Sequence, residues 1–399
     1  MRETLGRFCT EAGWTSFRCR HDARVLALEP LEPRGQPGSL GPPASDLPRF
    51  LPAPLDLHVH GGGGHDAMDG EAAIRGLLQA SARGGTGALL ATSVTAPFAD
   101  IDAFVDAAER VMAAPEAGEA TLLGVHLEGP FINPGRLGAQ PPHAASLDVE
   151  RLTRWLARPA VRVVTYAPEL DPDGVVPGLA ACHGVRAQIG HTLCRWSEAR
   201  AAFAGGAGVT HLWNAMSGAS HRDGGAAIAA LAFAEHAEII ADGIHVERAA
   251  FAAARRAIPA LCAVTDATAA TGMPDGKYRL GSLEVEKRGE RVLLADGTLA
   301  GSCLTERRAL EVLRAWDVDW PDIVRLTSAA PARWIGAEGF GEVVAGARAH
   351  WLELAPMNTD VGPDVDTNAG KGAESTGRTT DTRAVALWLD GVRHPFDDD

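Results

Sequence analysis

Two histidines, one residue apart, close a short apolar run near the start of the chain, LDLHVH at residues 55–60. Side chains two positions apart on a β-strand point to the same face of the strand. His58 and His60 could therefore ligate one cation together. The alternative is a hydrogen-bonded polar pair at a strand end, and the motif on its own favours that plainer interpretation.

Further histidines and acids stand at the ends of similar apolar runs. They are Glu128 in HLEGPF, His191 in QIGHT, His211 in VTHLWNAM, His245 in ADGIH and Asp266 in AVTDAT. Two imidazoles and a carboxylate form a good ligand set for Zn²⁺ or a similar divalent ion and leave one position open for water. Each histidine taken singly is more ordinary as a core or surface residue. The set together predicts a metal site.

Asp266 has the chemistry of an acid/base beside such a metal site. If its carboxylate faced a water molecule activated by the metal, it could take a proton from that water and later deliver one to a leaving nitrogen. The alternative role is an aspartate that caps the segment after the strand, which is common where strands lead into helices.

Positioning these residues together requires a particular arrangement of strands. Eight strand-like runs alternate with alanine-rich amphipathic runs, which predicts an α/β fold of the (β/α)₈ TIM-barrel type. The carboxyl ends of all strands in such a barrel meet at one mouth, so residues far apart in sequence would converge there. The runs are APLDLHVH, GALLATSV, TLLGVHLEG, VRVVTYAPE, VRAQIGH, GVTHLWNAM, EIIADGIH and LCAVTDAT.

The two ends of the chain predict a second, smaller unit. Strand-like pieces RVLALE, AHWLEL and AVALWLDG lie outside the alternating block. We expect residues 1–50 and 345–399 to form a small β-domain beside a barrel of residues 51–344. Residues 356–382 are polar and nearly free of large apolar side chains, which is typical of a mobile insertion.

Composition excludes several classes of partner. The 399 residues carry a formal net charge of −14 without a basic stripe, which argues against nucleic acid. A local arginine can still hold a small anion in an acidic protein.

Six scattered cysteines favour reduced thiols of a cytosolic protein. With no apolar leader and no run near about 18 apolar residues, we expect a cytoplasmic protein without a membrane segment.

Lysine usage narrows the choice of metal ligands. Lysine occurs only at Lys277, Lys287 and Lys371, beyond the eighth strand-like run. A carbamylated lysine on the fourth strand, which bridges two cations in some metal-dependent barrel hydrolases, is therefore excluded. Glu128 is the natural substitute, either as a simple ligand or as a bridge between two ions.

The order and spacing of these motifs resemble the N-acetylglucosamine-6-phosphate deacetylase family of the amidohydrolase superfamily. The resemblance covers about residues 51–344 and is carried by LDLHVHG, HLEGPF, GH, THLWNAM, ADGIH, TDAT and LAGSCLT. It implies a metal-dependent hydrolase of linear amides that removes acetate from an amino-sugar 6-phosphate in amino-sugar catabolism. The cofactor implied is one or two divalent ions, Zn²⁺ before Fe²⁺ or another metal.

The resemblance also implies roles for individual residues. Glu128, His191 and His211 match the main metal ligands, and Asp266 matches the catalytic acid/base. His58 and His60 match members that can hold a second ion. The implied substrate-binding residues are Ala139, Gln140, Asn214, Ala215, Arg222, Asp242, His245, Leu299, Ala300 and Gly301.

Arg222 matches a phosphate-binding arginine that reaches into a neighbouring subunit's site, which implies a homodimer. The loop around it is not a close match, and a surface arginine is the alternative. Three other functions stay open. Two are enzymatic, namely deacetylation of N-acetylgalactosamine 6-phosphate and hydrolysis of another N-acyl or cyclic amide. The third is a catalytically silent sugar-phosphate sensor. The first two differ from the main hypothesis in substrate, the third in class.

Overall fold

The computed structural model describes residues 1–31, 47–356 and 382–396. Its strands, in chain order, are β1 (Arg2–Thr10), β2 (Gly13–His21), β3 (Val25–Pro30), β4 (Arg49–Pro52), β5 (Leu55–Val59), β6 (Gly61–Gly62), β7 (His65–Asp66), β8 (Ala88–Thr92), β9 (Thr121–Glu128), β10 (Val161–Tyr166), β11 (Arg186–Ile189), β12 (Gly208–Val209), β13 (His236–Ile240), β14 (Ala260–Val264), β15 (Gly276–Leu280), β16 (Leu283–Arg288), β17 (Arg291–Leu293), β18 (Trp351–Pro356), β19 (Thr382–Leu389) and β20 (Val392–Pro395).

The helices alternate with the central strands. They are α1 (Glu71–Arg83), α2 (Phe98–Ala113), α3 (Val149–Leu156), α4 (Val176–Cys182), α5 (Trp196–Ala204), α6 (Ala226–Phe233), α7 (Arg248–Ala257), α8 (Glu306–Ala315), α9 (Trp320–Val324) and α10 (Ala330–Ile335). On α1 the buried residues include Ile74, Leu77 and Leu78, which share one face of the helix. No helix in the described ranges is both long and apolar enough to cross a membrane.

The central strands form a curled parallel sheet. Six of them pair in the order β12-β11-β10-β9-β8-β5, and β13 and β14 form a second parallel pair. Strand β8 is buried along its whole length, as expected for a parallel sheet that is covered on both faces. Each of the eight predicted strands is present at its place in the sequence. The structure thus shows an α/β fold with a parallel half-barrel.

Backbone contacts link the two parallel sheets on both sides. The Leu212 N–H, just after β12, donates to the Glu238 carbonyl on β13 at 2.8 Å. On the other side, the Asp266 N–H, just after β14, donates to the His58 carbonyl on β5 at 2.9 Å. The contact between β12 and β13 is short because β12 has only two residues. The ends of β5 and β14, which carry His58 and Asp266, are therefore adjacent.

The chain ends build a separate β-domain. Its seven-stranded sheet has the order β20-β19-β18-β4-β1-β2-β3, so N-terminal and C-terminal strands share one sheet. The predicted pieces RVLALE, AHWLEL and AVALWLDG correspond to β3, β18 and β19, whereas β1 and β2 had no separate prediction. The predicted polar insertion lies outside the described residues except at its two ends.

An aromatic cluster holds the β-domain together, and its removal should be measurable. Trp351 is fully buried, with its ring centroid 5.3 Å from Phe8 and 4.9 Å from His21. We expect Trp351→Ala to lower the free energy of unfolding by about 3–5 kcal/mol, because the cavity left behind cannot fully collapse. The control Val392→Ala, exposed on the same sheet, should change it by less than about 0.5 kcal/mol. Equal urea denaturation midpoints for the two variants would contradict this expectation.

A small antiparallel sheet follows the eighth strand and was not anticipated from the sequence. Strands β15, β16 and β17 form it between β14 and α8. Its own core contains Leu280, Val285 and Val292, which pack against Val94 and Ala300. This packing fixes the sheet and the loop after it beside the carboxyl ends of the parallel strands.

Candidate metal centre and active site

Glu128, the last residue of β9, lies at the centre of a buried histidine cluster. Its Oε1 is 2.8 Å from His211 Nε2 and 3.0 Å from His191 Nε2. Its Oε2 is 3.3 Å from His60 Nε2 and 3.5 Å from His58 Nε2. One carboxylate therefore touches four imidazoles that come from residues 58 to 211 of the chain.

Two of the three candidate metal-ligand groups among the described residues lie in this cluster. In the first group, ligand atoms of Glu128, His191 and His211 all lie within 4.8 Å of one another. In the second group, ligand atoms of His58, His60 and Asp266 do so as well. Each group has the size and the nitrogen and oxygen donors that a divalent ion requires.

Local backbone conformation aims these side chains at the centre. His191, His211 and Asp266 each follow a strand and have positive φ values of 47°, 29° and 51°. Non-glycine residues seldom adopt this conformation, and such strain often accompanies functional sites. The turn after each strand rotates the side chain into the mouth formed by the strand ends.

Hydrogen bonds at the far ring nitrogen leave Nε2 of three histidines facing the centre. Nδ1 of His191 donates to the Arg136 carbonyl at 2.9 Å. Nδ1 of His60 donates to the Thr92 carbonyl at 3.2 Å. Nδ1 of His58 lies 3.0 Å from Oε2 of Glu238. This arrangement of protons is the one that metal-binding histidines use.

The electrostatic environment favours added positive charge. Burial by itself lowers the pKa of His60, but the carboxylates of Asp266 and Glu128 outweigh it and raise that pKa to about 9. Burial likewise opposes ionisation of Glu128, yet the surrounding histidines hold its pKa well below the usual value. Asp266 Oδ1 is buried without a hydrogen-bond partner among the described residues. Either added protons or a bound metal ion would balance the negative charge of these carboxylates, so the residues present fit a cation.

A cavity of about 430 Å³ opens onto the cluster. Most of the predicted substrate-binding residues line it, and they come from four separate loops. Those at its wall are Ala139, Gln140, Asn214, Ala215, His245, Leu299 and Gly301. The Gln140 amide donates to Glu128 Oε2, and its oxygen accepts the Thr95 N–H at 2.6 Å. Gln140 therefore orients the central carboxylate and is itself part of the cavity wall.

Three predicted substrate residues do not line this cavity. Asp242 lies behind His245 and accepts its Nδ1–H at 2.6 Å, so it orients the imidazole. Ala300 is fully buried in the core of the small antiparallel sheet. Arg222 is exposed on the loop before α6 and is not among the residues that line the cavity.

The sequence reasoning missed other residues at the site. Leu280 on β15 and Thr298 in the loop after β17 both line the cavity. The alternating pattern GKYRLGSLEVEKRGERVLL, with glycines at its turns, could have revealed this hairpin. Glu238 behind His58 had no detectable signal, because a single glutamate inside an apolar run is compatible with many roles.

Parallel strands bring imidazoles and carboxylates into one buried cluster that fits a divalent ion, which is the arrangement expected of a metal-dependent amidohydrolase. Two curated relatives are each 36% identical to the chain. The N-acetylgalactosamine-6-phosphate deacetylase of Escherichia coli O157:H7 aligns over 87% of this chain and 93% of its own length. The N-acetylglucosamine-6-phosphate deacetylase of Bacillus subtilis aligns over 78% and 81%. The chain belongs to the N-acetylglucosamine-6-phosphate deacetylase family.

Solved structures agree with this assignment. The N-acetyl-D-glucosamine-6-phosphate deacetylase of Mycobacterium smegmatis is 28% identical, with a TM-score of 0.82 over 98% of this chain and 100% of that one. A mutant of the same enzyme, solved in complex with N-acetyl-D-glucosamine-6-phosphate, has a TM-score of 0.81 over 98% and 99%. No protein-family model matches the chain.

Proposed function

We propose that the protein hydrolyses the acetamide of N-acetylglucosamine 6-phosphate to glucosamine 6-phosphate and acetate in amino-sugar catabolism. The observation that carries the proposal is the contact of Glu128 with four histidine Nε2 atoms beside Asp266, at the floor of a cavity. One or two divalent ions, with Zn²⁺ our choice, would be held by Glu128 and these histidines. When bound, such an ion would polarise the acetyl carbonyl and lower the pKa of water.

The protein's own residues manage the proton transfers. Asp266 Oδ1 lies 3.2 Å from His60 Nε2, and Asp266 lines the cavity, so its carboxylate is placed to accept the proton of the attacking water. Asp266 then gives this proton to the amide nitrogen as the carbon–nitrogen bond breaks. The products are acetate and the free amine. His245, oriented by Asp242, faces the same cavity and can donate to the substrate.

The galacto epimer is the second candidate substrate. One of the relatives at 36% identity is a deacetylase of N-acetylgalactosamine 6-phosphate. An acetate-release assay on both epimers, each with and without the 6-phosphate, tests the proposal. We expect turnover of the phosphorylated glucosamine derivative to exceed the others. Equal rates for phosphorylated and unphosphorylated sugars would contradict it.

We further propose a homodimer in which Arg222 reaches the partner's cavity. Trp196 and Phe233 are 44% and 45% exposed, and their ring centroids are 6.4 Å apart. The Trp196 N–H donates to the Gly224 carbonyl at 3.0 Å, so this apolar patch adjoins the Arg222 loop. Exposed apolar patches often mark protein interfaces. An arginine outside its own cavity is suited to bind a phosphate across such an interface.

Substitution of Arg222 should affect only phosphorylated substrates. We expect Arg222→Ala to raise KM for the sugar phosphate about 30–100-fold, because one charge-assisted contact is lost. Arg154→Ala, on the exposed face of α3, is the matched control and should leave KM unchanged. If Arg222→Ala behaves like this control, the phosphate role is wrong.

Mixing two defective variants tests whether Arg222 acts across the interface. In dimers of Arg222→Ala with Asp266→Asn, one of the two sites would contain intact Arg222 and intact Asp266. At low substrate concentration we expect recovery of about one quarter of the wild-type rate after equal mixing, as random pairing gives. No recovery would place Arg222 in its own subunit's site.

We also propose that the parallel strands close into a barrel and that the protein is cytoplasmic. The backbone links between the two parallel sheets support a closed (β/α)₈ barrel within residues 51–344. The six cysteines are free thiols, which supports a reducing compartment and hence the cytoplasm.

A further inference from the structure

We propose that Glu238 is a positioning residue that enables the His58–His60–Asp266 group to hold its own cation beside the one held by Glu128, His191 and His211. Glu238 would act through His58, without touching the substrate. The inference rests on the metal centre of the proposed function. It adds that binding of the second cation depends on Glu238, a residue that does not line the cavity.

Glu238 lies on β13 and is completely buried. Its Oε2 is 3.0 Å from His58 Nδ1, and its Oε1 accepts the Gln188 Nε2–H at 2.9 Å. It is not among the residues that line the cavity. A buried carboxylate is strongly unfavourable unless it is paired, so the partner that it contacts indicates its role.

The geometry of His58 fixes the direction of this hydrogen bond. Its Nε2 faces the centre, 3.1 Å from His60 Nε2 and 3.5 Å from Asp266 Oδ1. A cation requires an unprotonated nitrogen at that position, so the proton must lie on Nδ1. Nδ1 then donates to Glu238, which makes a carboxylate–histidine–cation arrangement.

Among the three central histidines whose outer ring nitrogen has a hydrogen-bond partner in the described residues, His58 differs in the kind of partner. His60 and His191 donate to the neutral backbone carbonyls of Thr92 and Arg136, whereas His58 meets a carboxylate. Two divalent ions would bring four positive charges to a centre where only Glu128 and Asp266 supply carboxylates. Glu238 adds a third negative charge on the side of His58, where it selectively favours the second ion.

A buried hydrogen-bonded network holds Glu238 in place. It continues from Gln188 to Thr210 at 3.2 Å, then to Thr165 at 2.6 Å and to His126 at 2.7 Å. The His126 ring packs edge-on against His58, with centroids 4.7 Å apart. The network therefore holds both partners of the His58–Glu238 contact in place. A contact that is held in place can orient a metal ligand and so affect the affinity for the metal.

Glu238→Gln tests the proposal because it keeps the side-chain volume and removes the charge. Wild-type and variant chains would be equilibrated with buffered Zn²⁺, and the metal content would be measured by elemental analysis. We expect two ions per wild-type chain. In Glu238→Gln the weaker ion should lose about 10–100-fold in affinity, while the tighter ion is retained.

Glu119→Gln is the matched control. Glu119 is also buried, pairs with Arg75 at 3.3 Å and precedes β9, at the end of that strand opposite Glu128. Its substitution should leave both affinities unchanged. If Glu238→Gln and Glu119→Gln bind Zn²⁺ alike, or if the wild-type chain holds a single ion at saturation, the proposal is overturned.

A second variant covers the case in which Glu238→Gln fails to fold. Gln188→Met leaves Glu238 and His58 in contact but removes the other donor to the carboxylate. We expect a weakening of the second ion by about 3–10-fold, smaller than for direct loss of the charge; unchanged affinity would overturn the proposal. Two Zn²⁺ ions without deacetylase activity would refute the proposed function and leave this inference standing.

Discussion

Replacing Asp266 with asparagine is expected to lower kcat by about 10³–10⁴-fold while the ion held by Glu128, His191 and His211 is retained. The amide has nearly the volume of the carboxylate, so the backbone bond to His58 and the packing of the turn should persist. It cannot accept a proton, which removes general base and acid from both halves of the reaction. Burial opposes ionisation of Asp266, yet His58 and His60 keep its pKa below the usual value. The wild-type side chain is therefore an ionised base.

The control for this experiment is another buried aspartate with a capping role. Asp171 accepts the N–H groups of Val175 and Val176 at 2.9 Å, at the start of α4. Asp171→Asn should retain almost all activity. If Asp266 were only a cap, as the plainer interpretation of TDAT allows, both variants would show similar small losses. Steady-state kinetics together with metal analysis of each variant decides between the two roles.

Replacing Glu128 with glutamine should empty both halves of the metal centre. Glu128 contacts all four central histidines through its two oxygens, and the amide would turn a donor toward one group. We expect the affinity for each ion to fall by at least about 100-fold, beyond the loss typical of an outer partner. Activity at ordinary metal concentrations should fall at least as far as for Asp266→Asn.

The Glu128 result is best compared with the Glu238 result. Glu238→Gln should cost one ion and Glu128→Gln should cost both, whereas Glu119→Gln should cost neither. Retention of one tight ion in Glu128→Gln would show that this carboxylate serves a single group. It would then be an ordinary ligand and not a bridge.

Sequence reasoning identified the site because strand ends are visible in a sequence. His58, Glu128, His191 and Asp266 each close an apolar run, and parallel strands bring such ends to one edge. All of them are buried near one another in the structure. Alternation of strands and helices is likewise a local pattern, so the α/β class and the separate β-domain were also predictable.

The sequence did not reveal how outer residues support this site. His58 and Glu238 are 180 positions apart, and nothing local distinguishes Glu238 from other glutamates. The same limit applies to the contact between Asp242 and His245, which the sequence pattern alone did not indicate. Leu280 and Thr298 reach the cavity only because a small antiparallel sheet packs beside it.

The sequence by itself thus determined which groups are candidates for the chemistry and which strands carry them, because residue type and short-range periodicity can be read directly from the chain. Only the tertiary structure decided which nitrogen of each histidine faces the centre and which buried acid stands behind it. Those features depend on distances between segments far apart in the chain. Such distances follow from the packing of the whole core, to which many residues contribute weakly.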